Sequence, residues 1–136
     1  MRFTNFLENL FKLILRVLSL VYHGVDSTYF RPSSEDERYL ARLEYGLHLS
    51  DRVVCLVGRL DPIKGHGVLI KALSILKRQN FDVIALVAGK GYGDELSQVM
   101  QQAHDHDVTE QVGCLGMVGT RQVLWASDMI TLLSRR

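Results

Sequence analysis

Val53-Val54-Cys55-Leu56-Val57-Gly58-Arg59-Leu60-Asp61-Pro62-Ile63-Lys64-Gly65 reads as an apolar strand that ends in glycine and hands two cations to a following helix. A strand this rich in β-branched residues suits burial on both faces, which is the habit of parallel sheets covered by helices. At its carboxyl edge the next helix offers unpaired N–H groups and a positive dipole end, so the junction is suited to an anion. Arg59 and Lys64 both lie in that junction. Arginine grips a phosphate as a planar fork and lysine as a compact point charge, so a phosphate or diphosphate is the expected ligand and a nucleotide its expected source.

The flanking sequence repeats the pattern. Val17 to Tyr22 reads as a first strand, and a loop runs from His23-Gly24-Val25-Asp26 to Pro32-Ser33-Ser34. A helix capped by Ser34 follows, with Glu35, Asp36 and Glu37 at its positive end and Leu40, Leu43 and Leu47 as its apolar stripe. Beyond the opening stretch, Val68, Leu69, Ala72, Leu73 and Leu76 share a helical face, and Phe81 to Ala88 predicts the third strand. That strand ends in Gly89-Lys90-Gly91-Tyr92-Gly93. A helix from about Asp94, with Leu96, Val99, Met100 and Ala103 inward, precedes a fourth strand over Val112 to Leu115 and a turn over Gly116 to Gly119. A short helix from Thr120 to Ala126 and a buried-type strand from Asp128 to Leu133 follow. Strands alternating with amphipathic helices imply an α/β, doubly wound, parallel Rossmann-like sheet with right-handed crossovers.

Composition supports a globular domain. The chain has 136 residues, 47% hydrophobic and 23% charged, enough for one core. A formal net charge of +1 supplies no global field for nucleic acid, so nucleic acid is not an expected partner. Cys55 and Cys114 both lie in apolar strand-like runs and read as buried thiols in a reducing compartment, which points to a cytoplasmic protein. At the N-terminus, residues 1–16 predict an amphipathic helix through Phe3, Phe6, Leu7, Leu10, Phe11 and Ile14. Glu8, Asn9, Lys12 and Arg16 interrupt it, which argues against a spanning helix or an export signal and leaves an inter-domain or peripheral membrane-surface contact. Residues 17–136 are the expected nucleotide-binding domain.

In open α/β sheets ligands sit beyond the carboxyl ends of the strands. Three such ends carry suitable residues: Gly58 and Arg59 with Lys64, the glycines Gly89 and Gly91, and Met117 with Val118 in a flexible apolar turn. The Gly89 to Gly93 run is neither a phosphate-binding Walker loop nor a full dinucleotide fingerprint. His104-Asp105-His106-Asp107 has metal-ligand residue types, but histidines two apart face different ways, and the run reads as a solvated helix end with no metal site. Asp26 reads as a turn residue.

Taken together, His23-Gly24-Val25-Asp26 with Phe30-Arg31-Pro32, then Val57 to Gly65, Val87-Ala88-Gly89-Lys90-Gly91, Cys114-Leu115-Gly116-Met117-Val118 and Ala126-Ser127-Asp128-Met129 resemble the C-terminal, donor-binding domain of group 1 (family 4) glycosyltransferases with the GT-B fold. The resemblance covers Val17 to Ser134. It implies retaining transfer of a sugar from a nucleotide-diphosphate-sugar donor to an acceptor hydroxyl, with no cofactor or metal ion required. It also implies that Arg59 and Lys64 act in catalysis on the donor diphosphate, that Gly58, Gly89 and Gly91 let backbone approach the donor, and that Met117 and Val118 lie near the base. His23 departs from the family's asparagine. The family's last strand continues into Pro-Ser and a pair of glutamates; Leu133 stands in place of that proline, and the sequence ends before either glutamate. The expectation is therefore a donor-binding fragment, incomplete at its C-terminus and without the N-terminal acceptor domain, inactive by itself. A non-catalytic nucleotide-binding or interaction module derived from such a domain is the alternative, and an epimerase of similar fold is disfavoured by the spacing of Arg59, Lys64 and Gly65.

Overall fold

A computed structural model describes residues 23–135. The chain falls into two units, Met1–Arg31 and Pro32–Arg136. The expected helix over 1–16 and strand over Val17–Tyr22 lie outside the described residues. In the described part of the first unit, Asp26 closes a turn: its carboxylate accepts from the backbone N–H of Thr28 at 2.9 Å and from the Thr28 hydroxyl at 2.6 Å. The Thr28 hydroxyl, and then the Tyr29 and Thr28 amides, hold the Asp26 carboxyl below the usual carboxylate range.

In the second unit, helix α1 (Glu35–Glu44) begins as the sequence predicts. Ser34 accepts from the N–H of Glu37, and the Glu37 side chain accepts from the N–H of Ser34, a reciprocal capping box. Strand β1 (Val53–Val57) leads through a 3₁₀ turn (Pro62–Lys64) into helix α2 (His66–Arg78). Strand β2 (Ile84–Ala88) and helix α3 (Glu95–Asp105) follow. A second 3₁₀ turn (Thr109–Gln111) opens strand β3 (Val112–Gly116), and helix α4 (Thr120–Ala126) leads to strand β4 (Met129–Ile130).

The four strands are parallel, in the order β3-β2-β1-β4. Side chains alternate across β1, and this period of two divides the core. Val54 and Leu56 pack with Ala85 and Val87 of β2 against Leu69, Ile70 and Leu73 of α2 and Val99 and Ala103 of α3. Val53 and Cys55 pack with Leu86 and Ala88 on the opposite face, against Ala41 of α1 and Val123 and Ala126 of α4. Helices therefore cover both faces, as the doubly wound reading requires. Each fully buried aliphatic side chain, such as Ile70 or Leu73, contributes about 1.5–3 kcal/mol of transfer free energy.

A buried arginine ties these layers together. Arg42 is 1% exposed, and its guanidinium donates to the carbonyls of Ala126, His48, Leu49 and Asp51 at 2.8 to 3.0 Å and to the Asp128 carboxylate at 3.0 Å. Asp128 also accepts from the N–H of Val53 at 2.8 Å and from Arg38 at 2.5 Å. Residues from α1, α4, the start of β1 and the entry to β4 thus converge on one ion pair.

Several element details differ from the sequence expectation. The third strand begins at Ile84 rather than Phe81, because Asn80 takes a positive φ of 60° and the Phe81 N–H still bonds the helix carbonyl of Leu76. The last strand is two residues, Met129–Ile130, rather than Asp128 to Leu133, and it is not buried: Met129 is 64% and Ile130 50% exposed. Among the described residues β4 has a neighbour on one side only, β1, so an apolar run that suits a central strand lies at an edge. In α1 the buried residues are Ala41 and Arg42, while Leu40 and Leu43 face solvent; in α3 Leu96 is exposed although Val99 and Ala103 are buried. Both cysteines are free, and burial raises both thiols above the usual range, which disfavours the reactive thiolate. Among the described residues no helix is long and apolar enough to cross a membrane.

Candidate functional site

The carboxyl ends of β1, β2 and β3 are held level by backbone hydrogen bonds that continue past the apolar runs. The N–H of Gly58 donates to Ala88 at 2.9 Å, and the N–H of Gly89 donates to Gly116 at 2.8 Å. Gly89 has to be glycine: its φ is +153°, and a Cβ there would collide with the carbonyl oxygen of Gly58. The loops after β1 and β2 turn toward the face covered by α2 and α3, whereas the loop after β3 turns toward α4 on the other face. At that divergence an open sheet forms its ligand crevice.

A cavity of about 390 Å³ opens there. Gly58 and Arg59 line it from the end of β1, Gly89 from β2, and Met117 and Val118 from the loop after β3. Five of the residues predicted from sequence thus converge on one space. Lys64 and Gly91 are not among its lining residues. The Lys64 stem runs beside the cavity floor, with its Cγ and Cδ 3.9 Å from where a Gly58 Cβ would stand. Gly91 instead lies against the side chain of Glu95.

Local chemistry fixes the β1 loop. Asp61 caps the 3₁₀ turn, its carboxylate accepting from the N–H of Ile63 at 2.9 Å and its carbonyl from the N–H of Lys64 at 2.8 Å. Gly65 then takes φ +80°, where a Cβ would strike the Leu133 carbonyl, and the Arg135 N–H bonds the Ile63 carbonyl at 2.8 Å. The turn that carries Lys64 is thereby packed against the residues beyond β4. Arg59 is 64% exposed in its side chain, with Asp61 as a loose partner at 3.9 Å. A solvent-exposed pair of this length is worth a fraction of a kcal/mol, so the guanidinium is available to a stronger anion.

Two further residues line the cavity that sequence reasoning passed over in favour of the glycines around them: Lys90 and Tyr92. Lys90 brings a second cation to the mouth, and its carbonyl accepts from the N–H of Leu60 at 3.2 Å, joining the β1 and β2 loops. The signal was their position between Gly89, Gly91 and Gly93, where a backbone held close to the sheet edge directs the intervening side chains to the crevice. Glu95 holds this loop by accepting from the N–H of Gly93 at 2.6 Å, and its own amide, with those of Gly93 and Tyr92, outweighs a small burial effect and a repulsion from Asp61 to keep the carboxyl below the usual range.

Behind the loop lies His66, 4% exposed, at the start of α2. Burial lowers its pKa, against the opposing pull of the Asp61 carbonyl and charge. Its Nε2 has no hydrogen-bond partner, and it adjoins a space of about 40 Å³ that Asp61, Glu95, Gln98 and Gln102 also line. Among the described residues no group of three His, Cys, Asp or Glu side chains is placed to hold a metal ion.

The chain resembles known proteins over this same region. The family model for glycosyl transferases group 1 matches residues 40–136, more than half of the chain. D-inositol 3-phosphate glycosyltransferase of Segniliparus rotundus is 39% identical over 80 residues, which is 59% of this chain and 17% of that protein. The protein of the same name from Mycolicibacterium smegmatis is 29% identical over 123 residues, 86% of this chain and 27% of its own length. Among solved structures, HepE of Anabaena in complex with UDP and glucose superposes with a TM-score of 0.75 at 26% identity, covering 85% of this chain and 31% of that one. The chain spans less than a third of the length of each of these relatives.

Proposed function

Because this chain belongs to the group 1 glycosyltransferases, we propose that its cavity is the donor site of a retaining transferase that takes a nucleotide-diphosphate sugar. The observation that carries the reading is the meeting of Gly58 and Arg59 with Gly89 and Lys90 at the level ends of adjacent parallel strands, beside the apolar Met117 and Val118. One end of the space offers cations and close-approaching backbone, and the other offers apolar surface, which is the polarity of a nucleoside diphosphate. HepE, which shares this fold, is in complex with UDP and glucose, and this supports a nucleotide ligand for the present chain.

In the proposed reaction the bond between the anomeric carbon and the diphosphate oxygen breaks with its electron pair going to the β-phosphate. The acceptor hydroxyl oxygen bonds the anomeric carbon on the same face and gives its proton to the departing β-phosphate oxygen, which holds the electron pair of the broken bond. Negative charge therefore grows on the departing phosphate, and Arg59 and Lys64 supply the countercharge, which is the reason no metal ion is required in this reading. A positioned donor of this kind is worth on the order of 3 kcal/mol in the transition state, about a hundredfold in rate. Lys64 lies outside the cavity lining, so its role depends on the ammonium reaching over Gly58, whose missing side chain leaves the path clear. Residues 17–136 act as the donor domain in this account, and the acceptor is presented by a separate domain.

Thermal unfolding in the presence of UDP-, GDP- and ADP-sugars tests the donor class. A ligand at a hundred times its Kd adds about 2.7 kcal/mol to the folded state. One nucleotide class is expected to raise Tm clearly above the other two; a flat response to all three would count against a donor site.

A further inference from the structure

Tyr92 is 81% exposed and Met117 78% exposed, and both line the same cavity, from the loops after β2 and β3 respectively. Large apolar side chains in solvent at the mouth of a crevice are suited to a ligand that covers them. The Tyr92 ring is also carried on an anchored loop. On one side of it the Lys90 carbonyl accepts from the N–H of Leu60 at 3.2 Å, and on the other the Glu95 carboxylate accepts from the N–H of Gly93 at 2.6 Å. The backbone is fixed at both ends while the ring stands in solvent, so little loop ordering is left for a ligand to impose.

Resting on the donor reading above, we infer that Tyr92 is the platform on which the nucleobase stacks, with Met117 against the apolar edge of the base. Arg59, at the end of β1, places the diphosphate, and the planar heterocycle then falls toward the loops after β2 and β3, where Tyr92 and Met117 stand exposed. A base stacked on an aromatic side chain typically accounts for about a five- to hundredfold change in affinity on alanine substitution, with little dependence on base identity. Tyr92 thus contributes affinity for the nucleoside half of the donor and not for its phosphates.

The test is calorimetric titration of the full chain with UDP, GDP and ADP and, separately, with inorganic pyrophosphate, which carries no base. Tyr92→Ala is expected to weaken the best-bound nucleotide about tenfold and to leave pyrophosphate affinity unchanged, while Tyr92→Phe binds both like the parent chain. Nucleotide affinity unchanged in Tyr92→Ala would overturn the stacking assignment and leave the donor reading standing. Equal weakening of nucleotide and pyrophosphate would overturn it too, by assigning Tyr92 to loop structure. If the parent chain bound none of the three nucleotides, the donor reading would itself fall.

Discussion

His66 is the residue whose protonation is most exposed to test. Burial holds its pKa below the ordinary histidine value, and Asp61 and Glu95 are the charged groups that share its small cavity. Above about pH 6.5 the ring is neutral in folded and unfolded chains alike, so it adds no pH dependence there. As pH falls below that value the unfolded chain takes up the proton first, and stability is lost until the lower folded pKa is passed. Urea unfolding from pH 7.5 to 5 should therefore show the parent chain losing stability more steeply than His66→Gln. Parallel curves would mean that His66 titrates normally despite its burial.

At the scale of elements, the Asp128 junction governs how α1, α4, β1 and the edge strand β4 are joined. Asp128→Ala removes one acceptor from the buried Arg42, one from Arg38 and one from the Val53 N–H. Four carbonyls remain on Arg42, so the loss is partial, and a cost of about 1–3 kcal/mol in denaturant unfolding is expected. A loss below about 0.5 kcal/mol would show that solvent replaces the carboxylate, which is half-exposed. Burial raises the Asp128 pKa, but the Val53 amide and the two arginines outweigh it and the net shift is downward. The contribution is then fully present above the unfolded carboxylate value and is lost as pH falls through the lower folded one.

These elements were unequally legible in the sequence. The run Val53 to Val57 declared itself, because β-branched residues ending in glycine before a helical period fit a parallel strand and little else. The Ser34 cap was equally plain. Met129 to Leu133 misled, since an apolar run reports what a segment can tolerate and not how many neighbours it has. The burial of Arg42 was invisible for another reason: it depends on carbonyls from two separate segments, residues 48–51 and the end of α4, and on the Asp128 carboxylate, which no local pattern records. Leu40, Leu43 and Leu96 follow helical spacing yet lie on the exposed side, where spacing fixes the face but not what covers it.

For the whole molecule, a doubly wound sheet brings three loops distant in sequence to one cavity, and the donor reading depends on that convergence. Gly58, Arg59, Gly89, Met117 and Val118 were readable because strand-end glycines and a cation recur at the carboxyl edges of the same pattern. Lys90 and Tyr92 stand between the glycines in the sequence, but which side chains of a loop face inward is set by the tertiary path. Lys64 and Gly91 show the reverse, being placed by motif and lying just off the lining. The central claim is that the strand-end cations hold a diphosphate, and the most direct measurement is the affinity of UDP for the parent chain, Arg59→Ala and Lys64→Ala by isothermal titration calorimetry. Loss of a charge-assisted hydrogen bond of about 1.5–3 kcal/mol predicts roughly ten- to hundredfold weaker binding in Arg59→Ala, with Lys64→Ala weaker as well. Affinity equal to that of the parent chain in both variants would contradict the account.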